Sequence, residues 1–159
     1  MNPPTNPDDP SELFAGAARY YRYRPEYPSE LFEHLRAHFG LRPGSVVADV
    51  GCGTGHLAIP LAAGGASVIA IDPNEDMLAE ARATGGPAEY RHGEAAATGL
   101  DDASVVLVTV AQAFHWFDAD LALAEFHRIL TPAGRVATIW NLRGESPFLA
   151  DYQALLRRF

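Results

Sequence analysis

Apolar positions along this chain follow two periodicities, one typical of strands and one typical of helices. Continuous apolar runs such as Val46–Val50 and Val105–Val110 are typical of strands that are buried on both faces of a parallel sheet. Between the runs, apolar residues recur three and four positions apart, as on the buried side of a helix. The pattern predicts strands at 46–50, 67–71, 88–91, 105–110 and 135–141. It predicts helices at 30–39, 57–63, 75–83, 120–130 and 147–159.

Capping residues and glycines mark where the predicted helices begin and end. Ser29 and Asn74 are expected to cap helices, and Gly40 is expected to end the first one. The stretch Thr131–Gly134 is expected to break the helix at 120–130 before the last strand. The side chains expected to face inward are Leu31, Leu35 and Phe39 on the first helix and Leu123, Phe126 and Leu130 on the helix at 120–130.

Strands that alternate this regularly with helices indicate an α/β fold around a parallel sheet. Right-handed crossovers place helices on both faces, so we expect a doubly wound sheet. Residues 1–12 are polar and rich in proline, which predicts a flexible tail, and residues 13–159 form one domain of ordinary size.

Composition and charge narrow the class of protein. Of the 159 residues, 48% are hydrophobic and 20% are charged, as in a soluble globular protein. The net charge of -8 argues against a nucleic acid or an anionic membrane surface as the main partner. The longest apolar tract, 57–71, is too short and too interrupted to span a bilayer. A single cysteine, Cys52, excludes an intrachain disulfide and favours a cytoplasmic setting.

Two histidines have a spacing that could suggest a metal site. His34 and His38 lie four positions apart on a predicted helix. No glutamate follows His34, as the metalloprotease motif requires, and no third ligand is evident. We therefore expect no metal.

Unusual residues gather where the predicted strands end. The glycine turn Gly51–Gly55 follows the first strand, and Asp72 closes the second, 21 positions after Gly51. The segments 93–95 and 111–116 follow the third and fourth strands. Because ligands of such sheets bind beyond the carboxyl ends of the strands, this edge is the expected site. Glycines there let the backbone approach a nucleotide-like ligand, although a tight turn without a ligand would also use them.

The residues beside the glycine turn discriminate between ligands. His56 stands where the dinucleotide pattern G-x-G-x-x-G has its last glycine. Asp49, just before the turn, would repel a pyrophosphate and attract a cationic amine or sulfonium. A positively charged nucleoside is therefore favoured, and a nicotinamide-dependent oxidoreductase is the disfavoured alternative.

The segment Arg19–Tyr27 contains four tyrosines and three arginines. Pro25 and Pro28 prevent one continuous helix there. Such a segment could lie over a pocket as a lid or pack on the surface as an N-terminal arm, and both interpretations stay open.

The motifs together resemble those of class I S-adenosylmethionine-dependent methyltransferases. The resemblance rests on Asp49–Gly55, Ile71–Leu78, Gly93–Ala95 and Arg128–Arg135. It implies a Rossmann-like sheet of strand order 3-2-1-4-5 and S-adenosyl-L-methionine as the cofactor, with S-adenosyl-L-homocysteine as its product. The cofactor-binding residues that it implies are Asp49, Gly51, Cys52, Gly53, Asp72, Pro73, Asn74, Met77, Glu94, Ala95, Ala111 and Gln112.

Within that set the resemblance implies distinct roles. Asp49 and the glycines lie at the methionine part, and Asp72 takes the ribose hydroxyls. Glu94 and Ala95 lie at the adenine edge, where the family more often has aspartate at the first position. Other interpretations compete: Asp72 could cap the following helix, Met77 could serve packing alone, and Cys52 is better explained as a small turn residue than as a nucleophile.

The segments Tyr23–Pro28 and Gln112–Asp118 more narrowly resemble trans-aconitate methyltransferase-like proteins of the methyltransferase type 11 family. The implied reaction is methyl transfer to a small-molecule acceptor, a carboxylate or a hydroxyl. His115 is the candidate base for a hydroxyl or amine. The candidate substrate residues are Tyr21, Arg24, Trp116 and Arg143, with Arg22 a further arginine that could orient a carboxylate.

The family fold ends in a hairpin of two further strands that this sequence lacks. The domain is therefore expected to be incomplete at its C-terminus, with an open edge at strand five. A shortened chain, a fragment of a longer one, or self-association through that edge would each account for this. A non-catalytic cofactor-binding fragment or regulatory subunit stays the alternative function.

Overall fold

A five-stranded parallel sheet organises the part of the chain that the computed structural model describes, residues 18–21 and 23–142. The strands are β1 (Val46–Val50), β2 (Ser67–Asp72), β3 (Glu89–His92), β4 (Val105–Ala111) and β5 (Leu130–Ile139). The helices are α1 (Ala18–Tyr21), α2 (Ser29–Phe39), α3 (Ala58–Ala63), α4 (Glu75–Thr84) and α5 (Ala119–Ile129), with a 3-10 turn at Phe114–Trp116. The spatial order is β3-β2-β1-β4-β5, which confirms the expected Rossmann-like order.

Two hydrophobic cores cover the two faces of the sheet. On one face Phe32 and Leu35 of α2 and Leu61 of α3 pack with Val47 and Leu107 of the central strands. On the other face α5 supplies Phe126 and Ile129, both 1% exposed or less, which pack with the β4 side chains Val108 and Val110. Helices on both faces confirm the doubly wound arrangement, in which nearly every side chain of β1 and β4 is buried.

The glycine and asparagine that were predicted to bound helices do so. Gly40 ends α2 in the left-handed region with a φ of 63°, and its N–H donates to Arg36. Asn74 caps α4, because its side-chain oxygen accepts from the N–H of Met77 at 3.0 Å. Both helix ends are thus set by the residue that flanks the helix in the sequence.

Two local predictions were wrong, and a third was incomplete. Ser29 is the first helical residue instead of the cap, and its hydroxyl bonds the Glu30 carboxylate. Leu123 is 48% exposed, because α5 is rotated so that Ala122, Phe126 and Ile129 face the sheet. Phe32, which the predicted stripe omitted, is buried in α2 beside Leu35.

The stretch Thr131–Gly134 lies within β5 and does not precede it. Val105 of β4 pairs with Leu130, and Leu107 pairs with Arg135, so β5 advances five residues while β4 advances two. The extra residues bulge out of the pairing, which explains why a sequence that reads as a helix breaker can belong to a strand.

Several predictions fall outside the described residues: the tail 1–12, the helix at 147–159, Arg22 and Arg143. The domain bounds and self-association through β5 stay predictions. Among the residues described, β5 pairs with β4 alone, and Trp140 and Leu142 beyond it are exposed. None of the described helices is long and apolar enough to cross a membrane.

Candidate functional site

A cavity of about 570 Å³ opens at the carboxyl ends of β1, β2 and β4. Its volume lies within the usual range of small-molecule sites. Of the predicted site residues, those that line it are Tyr21, Arg24, Asp49, Gly51, Cys52, Gly53, Asp72, Pro73, Asn74, Met77, Ala111, Gln112, His115 and Trp116. The parallel strands bring these distant segments together because all of their carboxyl ends meet at one edge.

Asp72 ties the glycine turn to the end of β2. One of its oxygens accepts from the N–H of Gly53 at 2.7 Å, and the other accepts from the N–H of Asn74 at 2.9 Å. The N–H groups of Gly51 and Cys52 both reach the carbonyl of Ile71. Asp72 is 8% exposed, and burial raises its pKa while the two backbone donors lower it. Asn74, and not Asp72, caps α4. The Asp72 carboxylate instead holds the glycine turn through the N–H of Gly53.

Asp49 is a buried carboxyl group with one oxygen left over. It is 1% exposed, and its Oδ1 accepts from the Thr109 hydroxyl at 2.8 Å. Its Oδ2 has no hydrogen-bond partner among the described residues. Burial raises the pKa of Asp49 to about 7, against the lowering effect of Thr109, and the nearby charge of Asp72 adds to the rise. A cation that enters the cavity would stabilise the ionised form.

The glycines of the turn serve two different needs. Gly51 has a φ of 71°, and a Cβ there would lie 2.6 Å from the Cβ of Ala113, so the turn packs directly against the residues after β4. Gly53 has a φ of 53°, yet a Cβ there would meet nothing within 4 Å. Its open side belongs to the cavity wall, where a ligand can approach the backbone.

Gln112 is strained and carries an unpartnered donor. Its φ is 57°, which is uncommon for a residue other than glycine. Its backbone N–H donates to the carbonyl of Ile139 at 2.9 Å, which holds the conformation in place. Its side-chain Nε2 is buried without a partner among the described residues. Strain and an orphaned donor at a cavity wall together indicate a ligand-binding role.

Part of the tyrosine-rich segment reaches the cavity, and the lid interpretation stays a prediction. Tyr21, Arg24 and Tyr27 all line it. The Arg24 guanidinium lies 4.2 Å from the centroid of the Tyr21 ring and donates to the Tyr21 hydroxyl at 3.3 Å. Burial raises the pKa of Tyr27, and the neighbouring Asp49 raises it further. The described part of the segment therefore contributes a wall of the cavity near the two aspartates.

His115 and Trp116 lie in the 3-10 turn after β4, at the rim of the cavity. Both are exposed, and their ring centroids are 4.8 Å apart. Phe117 anchors the turn, because its ring packs edge-to-face with Phe126 of the second core, with the two ring centroids 6.5 Å apart. His115 is thus placed where its ring can reach a ligand in the cavity.

Two predicted residues lie elsewhere. Glu94 and Ala95 do not line the cavity. Glu94 is exposed and forms an isolated bridge with Ala97, while Ala95 packs partly buried against the second core. Their predicted contact with the adenine edge has no support from their position in the structure.

Sequence reasoning missed several lining residues and one supporting residue. The lining residues without a predicted role are Pro25, Tyr27, Thr54, His56, Leu57, Ala113, Phe117 and Asn141. The supporting residue is Thr109, which pairs with Asp49 in the register of β1 and β4. Asp49 and Thr109 are both polar residues inside apolar strands, and this shared feature of the sequence could have linked them.

The described residues contain no group of three or more histidine, cysteine or acidic side chains that could hold a metal ion. His34 and His38 stack with their ring centroids 5.2 Å apart on α2.

Known proteins similar to this chain are methyltransferases. A family model for a methyltransferase domain matches residues 48–138. An uncharacterized methyltransferase of Schizosaccharomyces pombe is 36% identical over 89% of this chain and 57% of its own length. The solved structure of a candidate type II methyltransferase from Anaeromyxobacter dehalogenans is 34% identical with a TM-score of 0.71, over 86% of this chain and 59% of that one.

The fold alone is shared more widely. A candidate S-adenosyl-L-methionine-dependent methyltransferase from Methanococcus maripaludis has a TM-score of 0.73 at 21% identity, over 99% of this chain and 75% of that one. The chain spans about half the length of the curated relatives it matches.

Proposed function

The chain belongs to the methyltransferase-domain family, and from that premise we propose that it binds S-adenosyl-L-methionine and transfers its methyl group to a small-molecule acceptor. The observation that supports this most is a pair of buried, unpartnered atoms, Asp49 Oδ2 and Gln112 Nε2, on residues that line the same cavity. One is an acceptor and the other a donor, so the cavity suits a ligand that carries both a cationic and an anionic or carbonyl group.

The cavity residues fit this cofactor by their chemistry. Asp49 would take the ammonium of its methionine part, and the open backbone at Gly53 would allow close approach. Asp72 uses one acceptor site on each oxygen for the turn and keeps capacity for ribose hydroxyls. The apolar side chain of Met77, 3% exposed, would flank the ribose and adenine.

The bound cofactor supplies an electrophilic methyl group. The chain's contribution is to align, desolvate and orient. Tyr21 and Tyr27 would exclude water above the two aspartates, and Trp116 would wall the acceptor side. Arg24 would orient an acceptor carboxylate, and His115 would take the proton from an acceptor hydroxyl or amine. The narrower trans-aconitate-like branch, the role of Arg143 and a cytoplasmic setting belong to this proposal as predictions.

The alternatives differ in what they bind. A nicotinamide-dependent oxidoreductase would need a pyrophosphate beside the buried Asp49, which the charge of that residue opposes. A cofactor-binding fragment or regulatory subunit would bind the nucleoside and release no product. The span of about half of its curated relatives keeps this second alternative open.

Isothermal titration separates these functions. We expect this chain to bind S-adenosylhomocysteine with a Kd of about 1 μM to 1 mM, the range of typical KM values, and to show no heat with NAD. If the chain binds NAD but does not bind S-adenosylhomocysteine, the proposal is wrong. Binding without turnover on a panel of acids, alcohols and amines would favour the regulatory alternative. The same titration on a chain extended to the length of its relatives is the matched comparison.

His115→Ala tests the proton acceptor. With a hydroxyl or amine acceptor we expect kcat to fall about a hundredfold, the usual contribution of a positioned base, with cofactor Kd unchanged. The measurement is release of S-adenosylhomocysteine across a pH series, with the exposed His127→Ala as the control. Unchanged kcat at every pH would remove His115 from the mechanism and would point to a carboxylate acceptor, which needs no base.

A further inference from the structure

His56 lines the cavity directly after the glycine turn and is half-buried. Its Nδ1 lies 2.9 Å from the Thr54 hydroxyl, and Thr54 is only 5% exposed, so a buried group anchors the ring. Its other nitrogen, Nε2, has no hydrogen-bond partner among the described residues. When the Thr54 hydroxyl donates to Nδ1, the ring proton lies on Nε2, and the imidazole presents a donor to the cavity.

The position of this donor matters because an amino acid carries its ammonium and its carboxylate on one carbon. If Asp49 Oδ2 takes the ammonium, the carboxylate must be bound at the same end of the cavity. Cys52, Gly53 and Thr54, which lie between Asp49 and His56 in the sequence, line the same cavity as both. His56 therefore belongs to the segment that forms this end.

Besides the Gln112 Nε2 donor, Arg24 is a described side chain in the cavity lining that could serve a carboxylate. Its guanidinium is already stacked on the Tyr21 ring and bonded to the Tyr21 hydroxyl. Arg24 thus already has a partner in the tyrosine-rich segment. His56 has no such engagement at Nε2.

We propose that His56 Nε2 donates to the α-carboxylate of the cofactor's methionine part, with Thr54 as the positioning residue that orients the ring. The proposal rests on the proposed function, because it assumes an S-adenosylmethionine site, and it names a binding residue that the sequence motifs do not. It makes the amino-acid end of the site a pair: an acceptor for the ammonium and a donor for the carboxylate.

The test compares two ligands by calorimetry. One is S-adenosylhomocysteine, and the other is its decarboxylated analogue, which keeps the ammonium. The intact chain should prefer the first by about ten- to a hundredfold, the range of one charge-assisted hydrogen bond. His56→Leu should reduce that preference to about threefold or less and leave the analogue's affinity unchanged. His56→Gln, whose Nε2 can replace the imidazole donor, should keep most of it.

Thr54→Val and Arg24→Gln complete the design. Thr54→Val removes only the anchoring hydroxyl and should give an intermediate preference, whereas Arg24→Gln should leave the preference intact.

Retention of the full preference in His56→Leu overturns the proposal, as does its loss in Arg24→Gln alone. If His56→Leu fails to fold, a reduced preference in Thr54→Val supports the proposal, and an unchanged preference overturns it. An intact chain that binds both ligands equally also overturns it but leaves the proposed function standing. An intact chain that binds neither overturns the proposed function itself.

Discussion

Asp49→Asn should make the ligand-free protein more stable at alkaline pH while abolishing most of its cofactor affinity. Burial raises the pKa of Asp49 from 3.8 to about 7. Because the folded pKa is above the unfolded one, the folded state loses stability as pH rises from about 4 to about 7, by about 4 kcal/mol at 1.36 kcal/mol per unit. The amide cannot ionise and escapes that loss.

The amide itself destabilises the folded protein, and this cost decides whether the variant is more or less stable than the parent at a given pH. Its NH₂ group replaces the unpartnered Oδ2 and stays buried without an acceptor, at about 1–3 kcal/mol. We therefore expect the variant to be less stable than the parent by that amount near pH 3, and more stable by about 1–3 kcal/mol near pH 8. Urea unfolding at both pH values measures the crossover. A stability difference that is the same at both would contradict ionisation of a buried Asp49.

Binding should move in the opposite direction. Loss of the carboxylate removes the partner of the cofactor ammonium, and we expect Kd for S-adenosylhomocysteine to rise about ten- to a hundredfold. In the parent protein, affinity should improve as pH rises toward about 7, because the ammonium favours the ionised form. Asp101→Asn, an exposed change of the same kind, is the control and should alter neither property. Full affinity in Asp49→Asn would show that the ammonium is bound elsewhere.

Alanine at Gly53 and at Gly51 should separate cofactor binding from folding. At Gly53 a Cβ meets nothing within 4 Å, so the cost to the fold is that of a left-handed alanine, about 1–2 kcal/mol. The methyl group would occupy the space where the cofactor approaches the backbone. We expect the fold to persist and affinity for S-adenosylhomocysteine to fall about a hundredfold, as a misplaced contact of this size can produce.

At Gly51 the same substitution should damage the fold. Its Cβ would lie 2.6 Å from that of Ala113 and 3.1 Å from the Phe117 ring, at a φ of 71°. Overpacking and strain together should cost about 2–5 kcal/mol. Thermal unfolding and calorimetry on both variants make the comparison.

Gly44→Ala is the matched control for both variants. Gly44 has a φ of 81° with nothing within 4 Å of its Cβ, and it lies outside the cavity lining. The Gly44→Ala variant should lose as much stability as Gly53→Ala and retain full affinity for S-adenosylhomocysteine. Equal affinity in the two would contradict cofactor contact at Gly53.

Much of the architecture could be predicted because its signals are local. The run Val46–Val50 and the three glycines after it specify a strand and a tight turn through the properties of adjacent residues. The distance from Gly51 to Asp72 placed an acidic residue at the neighbouring strand end, and the structure brings its carboxylate to the N–H of Gly53. The order of the sheet came from the resemblance, since periodicity says nothing about which strands are neighbours.

The errors share a different cause. The rotation of α5, which exposes Leu123, is decided by how its side chains fill the second core. The bulge at Thr131–Gly134 is decided by pairing with β4, which no local pattern reports. Glu94 was assigned by motif and is not among the residues that line the cavity, so its contact with the adenine edge stays a prediction.

The sequence by itself determined the alternation of strands and helices, the glycine turn and the edge of the sheet at which polar residues collect, since each depends on residues close together in the chain. Only the tertiary structure decided which polar atoms are satisfied. Asp49 has one buried oxygen bonded to Thr109 and one without a partner, because β1 and β4 align the two residues. Hydrogen bonds and burial depend on the register and packing of segments far apart in the chain, and those are set by the whole fold.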